Sequence, residues 1–596
     1  MSHQARPRVK NRGADLLVAA LRAHGVRHVM GLTGGAIMET MDALHSNEEL
    51  ELDIFQTEAG AAWAAIGYAR VTGQAGVCVV TSGPGATNTV TALADAHRDN
   101  VPLLMVTGQV PSFARYTDAF QETNFAEIAA PAVKKVFCLS HADDIVGTVA
   151  AAFRTALDGR PGPVLIDFTK DAQQARVEPG EMIAALAPPT YPHLQPCDRP
   201  VPEDSIAEVA HLLSRASRPA IILGYGLVLA KAEGALRELL RLVPCPVVHT
   251  LPAKPGLESD HPLNYGMLGM HGFYVANWIV EHSDLLISLG ARYDDRVTGN
   301  LDTFASKAKR LVHFDIDPDQ ITKVLPQRKL PVVGDLSDTL PALIGKLGGA
   351  RYSFPSWLAE IDCIRDRHPS TYTKDPDVIQ AQYVMEVLSD LIEEQQANSH
   401  PVIFSTEVGD HQMWAGQFLK IRDNTFFMSS SGQGAMGSGL PMAIGAQLAR
   451  PNALVVCLAG DGSLRMSEAE LETIATRHLP VKIVLFNNQG YGIVRMWNHL
   501  FYEGRETGVI KCQKDWALLA RANGFAECTV QSVAALQPLR EALRSALFDA
   551  RPHFLEVITP YEECLPLMPP GKPFEEIIVQ KASASRTGEC TVVLRS

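Results

Sequence analysis

Short apolar runs, each closed by a glycine-rich or polar turn, alternate along the chain with stretches whose apolar positions recur at helical period. Residues 453–458 are apolar throughout and read as a buried strand. Residues 467–478 read as a helix, opened by a capping box of Ser467 and Glu470. Residues 481–486 form a second buried strand. Such a β-α-β unit predicts parallel strands with a right-handed crossover. Both strand ends then emerge side by side at the carboxyl edge of one sheet, where open α/β sheets bind ligands.

The same order recurs near the N-terminus. Residues 76–81 read as a strand, Ser82-Gly83-Pro84-Gly85 as a turn, then a helix follows, and 101–107 read as the next strand. This weak internal repeat predicts two domains of one ancestry. The first α/β segment runs from Gly13 to about Lys170, a second from about 204 to 348, and a third from about 376 to 559. The proline-rich stretch 176–202 reads as a linker, 349–375 as another connection, and the Ala-Ser-Ala-Ser tail from Lys581 as poorly ordered.

The chain has 596 residues, enough for about three or four domains, and an ordinary hydrophobic content of 46%. Its net charge of −13 argues against general nucleic-acid affinity and suits a cytoplasmic enzyme. Ten cysteines lie scattered without metal-ligand spacing, so reduced thiols are expected rather than a disulfide framework. No apolar run is long enough to span a bilayer. The basic start (Arg6, Arg8, Lys10, Arg12) lacks an apolar h-region and reads as a loose tail, not a signal peptide.

The candidate chemistry lies at the two C-terminal strand ends, Gly460-Asp461-Gly462-Ser463 and Asn487-Asn488. A carboxylate beside an amide oxygen suits a hard cation such as Mg²⁺. The glycines let the backbone approach a phosphate. Gly-Asp-Gly alone is a common turn and Asn-Asn a common loop; their joint placement on adjacent strand ends is what points to a site. A competing signal is Gly432-Gln433-Gly434-Ala435-Met436-Gly437, which fits the dinucleotide-binding fingerprint formally. A Rossmann reading there leaves Asp461 and Asn488 unexplained.

The spacing of the Asp461 and Asn488 strings resembles the thiamine-diphosphate motif, and nearly the whole chain, about 13–580, resembles the catalytic subunits of the acetolactate synthase (acetohydroxyacid synthase) family. The resemblance is carried by Thr81-Ser82-Gly83-Pro84-Gly85-Ala86-Thr87-Asn88, Thr117-Asp118-Ala119-Phe120-Gln121-Glu122 and Leu268-Gly269-Met270-His271-Gly272. Asp294-Asp295-Arg296-Val297-Thr298-Gly299 and Phe501-Tyr502-Glu503-Gly504-Arg505 extend it. It implies an α/β fold of three doubly wound parallel-sheet domains: pyrimidine-binding (13–175), central FAD-binding (203–348) and diphosphate-binding (376–560), with a C-terminal lid segment and tail at 561–596. It implies a carboligase that decarboxylates pyruvate on thiamine diphosphate and passes the two-carbon unit to pyruvate or 2-ketobutyrate, in branched-chain amino-acid synthesis.

The resemblance also assigns roles. Asp461, Asn488 and the carbonyl of Gly490 would hold the Mg²⁺ of the diphosphate. Gly462, Ser463, Gly409 and His411 would lie near that diphosphate. Glu58 would share a proton with the cofactor's pyrimidine ring, the step that activates the thiazolium carbon. Met436 would wedge the cofactor into its bent shape, with Gly434 offering backbone groups to the pyrimidine. Trp497 would line the substrate channel, with Gly35, Ala36, Phe120, Gln121 and Lys170 around the same pocket. Arg160, His271, Arg292 and Asp315 would bind a structural FAD. The pocket joins two subunits, which implies a homodimer or homotetramer acting on 2-keto acids, with room for a small regulatory subunit and with neither nucleic acid nor membrane as partner.

Three departures from the family pattern stand out. Asp410 replaces the usual Gln, Ile493 the usual Met, and Leu251-Pro252-Ala253-Lys254-Pro255 the usual Gly-Leu-Gly segment near the flavin. They bear on substrate choice and flavin occupancy. The alternatives are a specialised carboligase or simple 2-keto-acid decarboxylase and, from another class, a non-catalytic regulatory paralogue. Retention of Glu58, Asp461 and Asn488 together argues against the last.

Overall fold

The computed structural model describes residues 11–178, 180, 185, 200–323, 325, 328–395, 400–509, 514–579 and 591–592. Most of the basic start, most of the proline-rich linker and nearly all of the tail lie outside the described residues. Three six-stranded parallel sheets, each flanked by helices, follow one another along the chain. Their inner strands, such as Gly76–Val80, Leu103–Gln109, Pro219–Leu223 and Leu285–Leu289, are buried throughout, as expected where helices cover both sides.

The first sheet contains β1 (His28–Gly31), β2 (Glu51–Ile54), β3 (Gly76–Val80), β4 (Leu103–Gln109), β5 (Lys135–Leu139) and β6 (Pro163–Thr169), in the order β2-β1-β3-β4-β6-β5. The second contains β7 (Pro219–Leu223), β8 (Val247–His249), β9 (Asn264–Met267), β10 (Leu285–Leu289), β11 (Arg310–Asp315) and β12 (Lys329–Val333), in the order β12-β11-β10-β7-β8-β9. The third contains β13 (Val402–Thr406), β14 (Thr425–Ser429), β15 (Leu454–Gly460), β16 (Lys482–Asn487), β17 (Val530–Val533) and β18 (His553–Ile558), in the order β14-β13-β15-β16-β18-β17. Counted within each domain, the first and third sheets share one strand order, so the weak repeat in sequence is a full repeat in topology. The middle sheet differs: its order is that of doubly wound dinucleotide-binding domains.

First and third domains share a core through two crossing helices, Glu58–Thr72 and Gly439–Ala449. A Cβ on Gly67 would lie 2.1 Å from the Met442 carbonyl oxygen, and one on Gly445 would lie 1.8 Å from that of Ala64. The glycines therefore set how closely the two backbones approach.

The helix expected at 467–478 is shorter, Glu470–Thr476, and the capping box does not form. Ser467 Oγ donates to Glu407, and the Glu470 carboxylate accepts from Thr57 of the first domain as well as from Thr473 Oγ1 of its own helix. A partner distant in sequence outcompetes the local cap. The stretch 349–375, expected to be a connection, carries the helix Pro355–Arg367, whose Trp357 packs in the central core. The C-terminal segment returns to that core through Met568, Phe574 and Ile577. The seven cysteines among the described residues are all unpaired. No helix among the described residues is long and apolar enough to cross a membrane.

Candidate active site

Strands β15 and β16 pair in register, with Gly460 opposite Phe486, so the next residues of each strand leave the sheet together. Asp461 opens the short helix Asp461–Leu464 and is 1% exposed. Its Oδ2 and the Oδ1 of Asn488 are buried and have no hydrogen-bond partner. Orphaned oxygens of this kind are costly to bury. Burial, and then the neighbouring Asp410 carboxylate, push the Asp461 carboxyl up to about 7, against the steadying backbone N–H of Asn488. The pair fits a hard divalent cation, which would relieve both oxygens. Among the described residues no three His, Cys, Asp or Glu side chains converge on a metal position. Such an ion would complete its shell from backbone carbonyls such as that of Gly490 and from its ligand's own oxygens.

His411, in the helix Asp410–Phe418, lies beneath this edge, stacked on Phe486 at 6.2 Å. Both its ring nitrogens are buried without hydrogen-bond partners, Nδ1 lying 3.6 Å from Asp410 Oδ1. A Cβ on Gly460 would lie 2.8 Å from His411 Nδ1. Ser463 Oγ donates to the Gly460 carbonyl at 3.2 Å. A Cβ on Gly462 would fall 2.5 Å from Tyr491 Cδ1, so its bareness admits that ring as well as any phosphate. Asp410 turns toward Asn488, whose Nδ2 donates to Asp410 Oδ2 at 2.8 Å.

The loop carrying Gly434 and Met436 hangs on a residue that sequence reasoning missed. Glu407, just past β13 and fully buried, accepts from the backbone N–H of Gly437 at 2.7 Å and of Leu440 at 3.0 Å. Burial raises its carboxyl while these N–H groups oppose the shift. The only local signal was a charge directly after the apolar run of β13. The dinucleotide fingerprint dissolves here: the helix starts at Gly439, beyond the glycine string, and Gly432 packs against Arg98, Asp99 and Arg292.

In the first domain, Glu58 opens the helix Glu58–Thr72, with Thr57 as its N-cap. Asn88 Nδ2 donates to Glu58 Oε2 at 3.1 Å. Glu470 fixes this helix start, accepting from the backbone N–H groups of Thr57 at 3.1 Å and Gln56 at 3.3 Å. Lys170 Nζ donates to the Gly35 carbonyl at 3.2 Å, and the Ala36 N–H to Thr81 Oγ1 at 3.2 Å, so these pocket candidates converge. Gln121 folds over Gly83, while Phe120 is 89% exposed. Trp497, on the helix Gly492–Phe501, packs on Phe501 at 5.2 Å. The contacts of Glu58 with Asn88 and Gly85 lie in the first domain; those of Asp461 lie in the third.

The central sheet forms a crevice at its topological switch point, between β7 and β10. Arg160, Arg292 and Asp315 line it together with Gly226, Gly290 and Gly334. Arg292 is held by Asp294 at 2.7 Å and by the Arg98 carbonyl at 2.6 Å. Bare glycines at strand ends with two guanidinium groups fit a phosphate-bearing dinucleotide. His271 is not in this lining. It is buried, with Nδ1 2.9 Å from the Cys564 carbonyl, and burial lowers its ring to about 4.

Three family descriptions match in sequence: "Thiamine pyrophosphate enzyme, N-terminal TPP binding domain" over 11–128, its central domain over 206–343, and its C-terminal TPP binding domain over 407–557. The chain is 40% identical over 569 residues to the acetolactate synthase isozyme 2 large subunit of Escherichia coli K12, covering 95% of this chain and 99% of that one. The chain belongs to the acetolactate synthase large-subunit family. A second relative, the acetolactate synthase large subunit of Parasynechococcus marenigrum, is 40% identical over 576 residues, covering 94% and 90%. The chloroplastic acetolactate synthase of Arabidopsis thaliana is 39% identical over 591 residues, covering 96% and 85%.

Proposed function

We propose that this chain is the catalytic subunit of a thiamine-diphosphate-dependent acetolactate synthase, joining a two-carbon unit from pyruvate to a second 2-keto acid. The observation that carries the reading is the pair of buried, unpartnered oxygens of Asp461 and Asn488 on adjacent parallel strand ends. Those two side chains and the Gly490 carbonyl would hold Mg²⁺ against a diphosphate. Thiamine diphosphate, when bound, supplies the electron sink for decarboxylation of a 2-keto acid.

The chain's own groups do the rest. Glu58 would hold a proton toward the pyrimidine of a bound cofactor, and Asn88, by donating to Glu58 Oε2, orients that carboxylate. Glu407 holds the loop that presents Gly434 and Met436. Trp497 and the cluster of Gly35, Ala36, Phe120, Gln121 and Lys170 shape the space for the keto acids. Phe113, Tyr116 and Phe120 are 82%, 78% and 89% exposed, an unusual cost for a monomer. A second copy covering them would bring Glu58 of one subunit to the metal edge of the other, giving a homodimer or homotetramer. The crevice at Arg160, Arg292 and Asp315 would hold FAD as a structural group. The protein would act in the cytoplasm, with a small regulatory subunit as a further partner.

The deciding experiment feeds pyruvate, with and without 2-ketobutyrate, to the purified protein with thiamine diphosphate and Mg²⁺. The expected products are 2-acetolactate and 2-aceto-2-hydroxybutyrate. Acetaldehyde alone would mark a decarboxylase, and no turnover would mark a non-catalytic paralogue.

A further inference from the structure

Asp410 is buried at the first position of the helix Asp410–Phe418, beside the candidate cation edge. Its Oδ2 accepts from Asn488 Nδ2 at 2.8 Å, and its Oδ1 from the His411 N–H at 2.9 Å. Gly492 makes room for this pair: a Cβ there would lie 1.8 Å from Asp410 Oδ2 and 2.9 Å from Asn488 Nδ2, so a side chain at 492 would displace the carboxylate from its place beside the amide.

This geometry has a consequence for Asn488. An amide can present either oxygen or nitrogen to a given neighbour, whereas an ionised carboxylate only accepts. Facing Asp410, Asn488 must present Nδ2, which leaves Oδ1 pointing elsewhere, buried and without a donor. Asp461 contributes a second buried, unpartnered oxygen at the same edge. A glutamine at position 410 could itself donate, and would leave the amide free to turn. It would also remove one of the two negative charges beside the ion.

We propose that Asp410 is an outer carboxylate of the cation site, a positioning residue that locks the Asn488 oxygen toward the metal and lets this chain take up a divalent cation before any diphosphate arrives. The proposal rests on the reading of Asp461 and Asn488 as cation ligands. It also assigns a cost. With a dication already facing two carboxylates, less positive charge is left for the diphosphate, so Asp410 strengthens metal binding without strengthening cofactor binding.

The test uses the full-length protein as purified, without added thiamine diphosphate, titrated with Mn²⁺ and followed by electron paramagnetic resonance of the free ion. Wild type is expected to bind Mn²⁺. Asp410→Asn, equal in size but neutral, is expected to bind it about tenfold to a hundredfold more weakly, the usual span for losing an outer-shell partner. In saturating Mg²⁺ the affinity of Asp410→Asn for thiamine diphosphate, read by fluorescence quenching, should be unchanged or tighter. That opposite sign separates positioning from general damage, which weakens both. If Asp410→Asn does not fold, Asp410→Gln serves, with the same expectation. Equal Mn²⁺ affinity in wild type and variant, or parallel weakening of both ligands, overturns the proposal. Mn²⁺ uptake only in the presence of thiamine diphosphate, and abolished by Asp461→Ala, overturns it while the site reading stands. Uptake indifferent to Asp461 removes both.

Discussion

In the first sheet β3 runs out into Thr81-Ser82-Gly83-Pro84-Gly85; in the third, β15 holds the same place in the strand order and runs out into Gly460-Asp461-Gly462-Ser463. The helices that follow the second strands of the two domains, Glu58–Thr72 and Gly439–Ala449, are the pair that cross in the shared core. Each has a buried carboxylate on its first turn. Glu407 serves the second from within its own domain, and Glu470 serves the first from the opposite domain. The comparison separates scaffold from chemistry. One strand order builds both domains, and under the proposed function single charged residues at strand and helix ends give one domain an acid–base group and the other a metal edge.

The largest effect should come from the metal edge. Asp461→Ala is expected to abolish acetolactate formation together with Mg²⁺-dependent binding of thiamine diphosphate, measured by isothermal titration, since a hard-oxygen ligand is lost. Retained binding and turnover would show that β15 carries no metal role and would erase the contrast with β3.

Glu58→Gln should separate activation from binding. Thiamine diphosphate should still bind, while exchange of its thiazolium proton for deuterium slows by about two to four orders of magnitude. An unchanged exchange rate would take the acid–base role away from the first domain.

The two helix-start carboxylates should differ in stability. Glu407→Ala strands the Gly437 and Leu440 N–H groups in a buried loop and should cost about 3 kcal/mol in urea unfolding. Glu470→Ala should cost less, about 1–2 kcal/mol, because water can reach Gln56 and Thr57, which are exposed. Equal losses would mean that the two helix starts are held alike.

A pH-dependent effect of similar size concerns the central domain. Lys254 is 3% exposed, donates to the Gly416 carbonyl at 2.9 Å, and burial lowers its ammonium from the usual 10.5 to about 7. Between pH 7 and 10.5 the unfolded chain binds more protons at this residue than the folded one, so its contribution makes stability rise with pH there and level off below pH 7. Relative to Lys254→Met, wild type should gain about 2 kcal/mol from pH 7 to pH 9. Parallel pH curves for the two proteins would show that Lys254 stays charged when folded.

Several features were legible in the chain because they are local. The apolar runs at 453–458 and 481–486 became β15 and β16, each starting one residue later and ending two residues and one residue later, respectively, and the parallel crossover followed from their spacing. The repeat between the first and third domains showed in the order of strand, glycine turn and strand. Other features misled because the same local signal has more than one tertiary use. Ser467 and Glu470 match a capping box, yet each finds a partner in a distant segment: Glu407, and Thr57 of the other domain. The glycine string 432–437 matches a dinucleotide fingerprint, yet the sheet with dinucleotide-binding strand order lies in the middle domain, at residues without that string.

By itself, then, the sequence determined where strands begin and end and which residues stand at their carboxyl ends, because both depend on periodicity and on the side chains of near neighbours. Asp461 and Asn488 were placed that way. The pairing of buried charges was decided only by tertiary structure. Glu407 on the Met436 loop, Glu470 on the helix start of Glu58, and Asp410 on the amide of Asn488 join segments separated by tens to hundreds of residues. A buried carboxylate must find N–H donors wherever the fold brings them, and no spacing along the chain records which donors those will be.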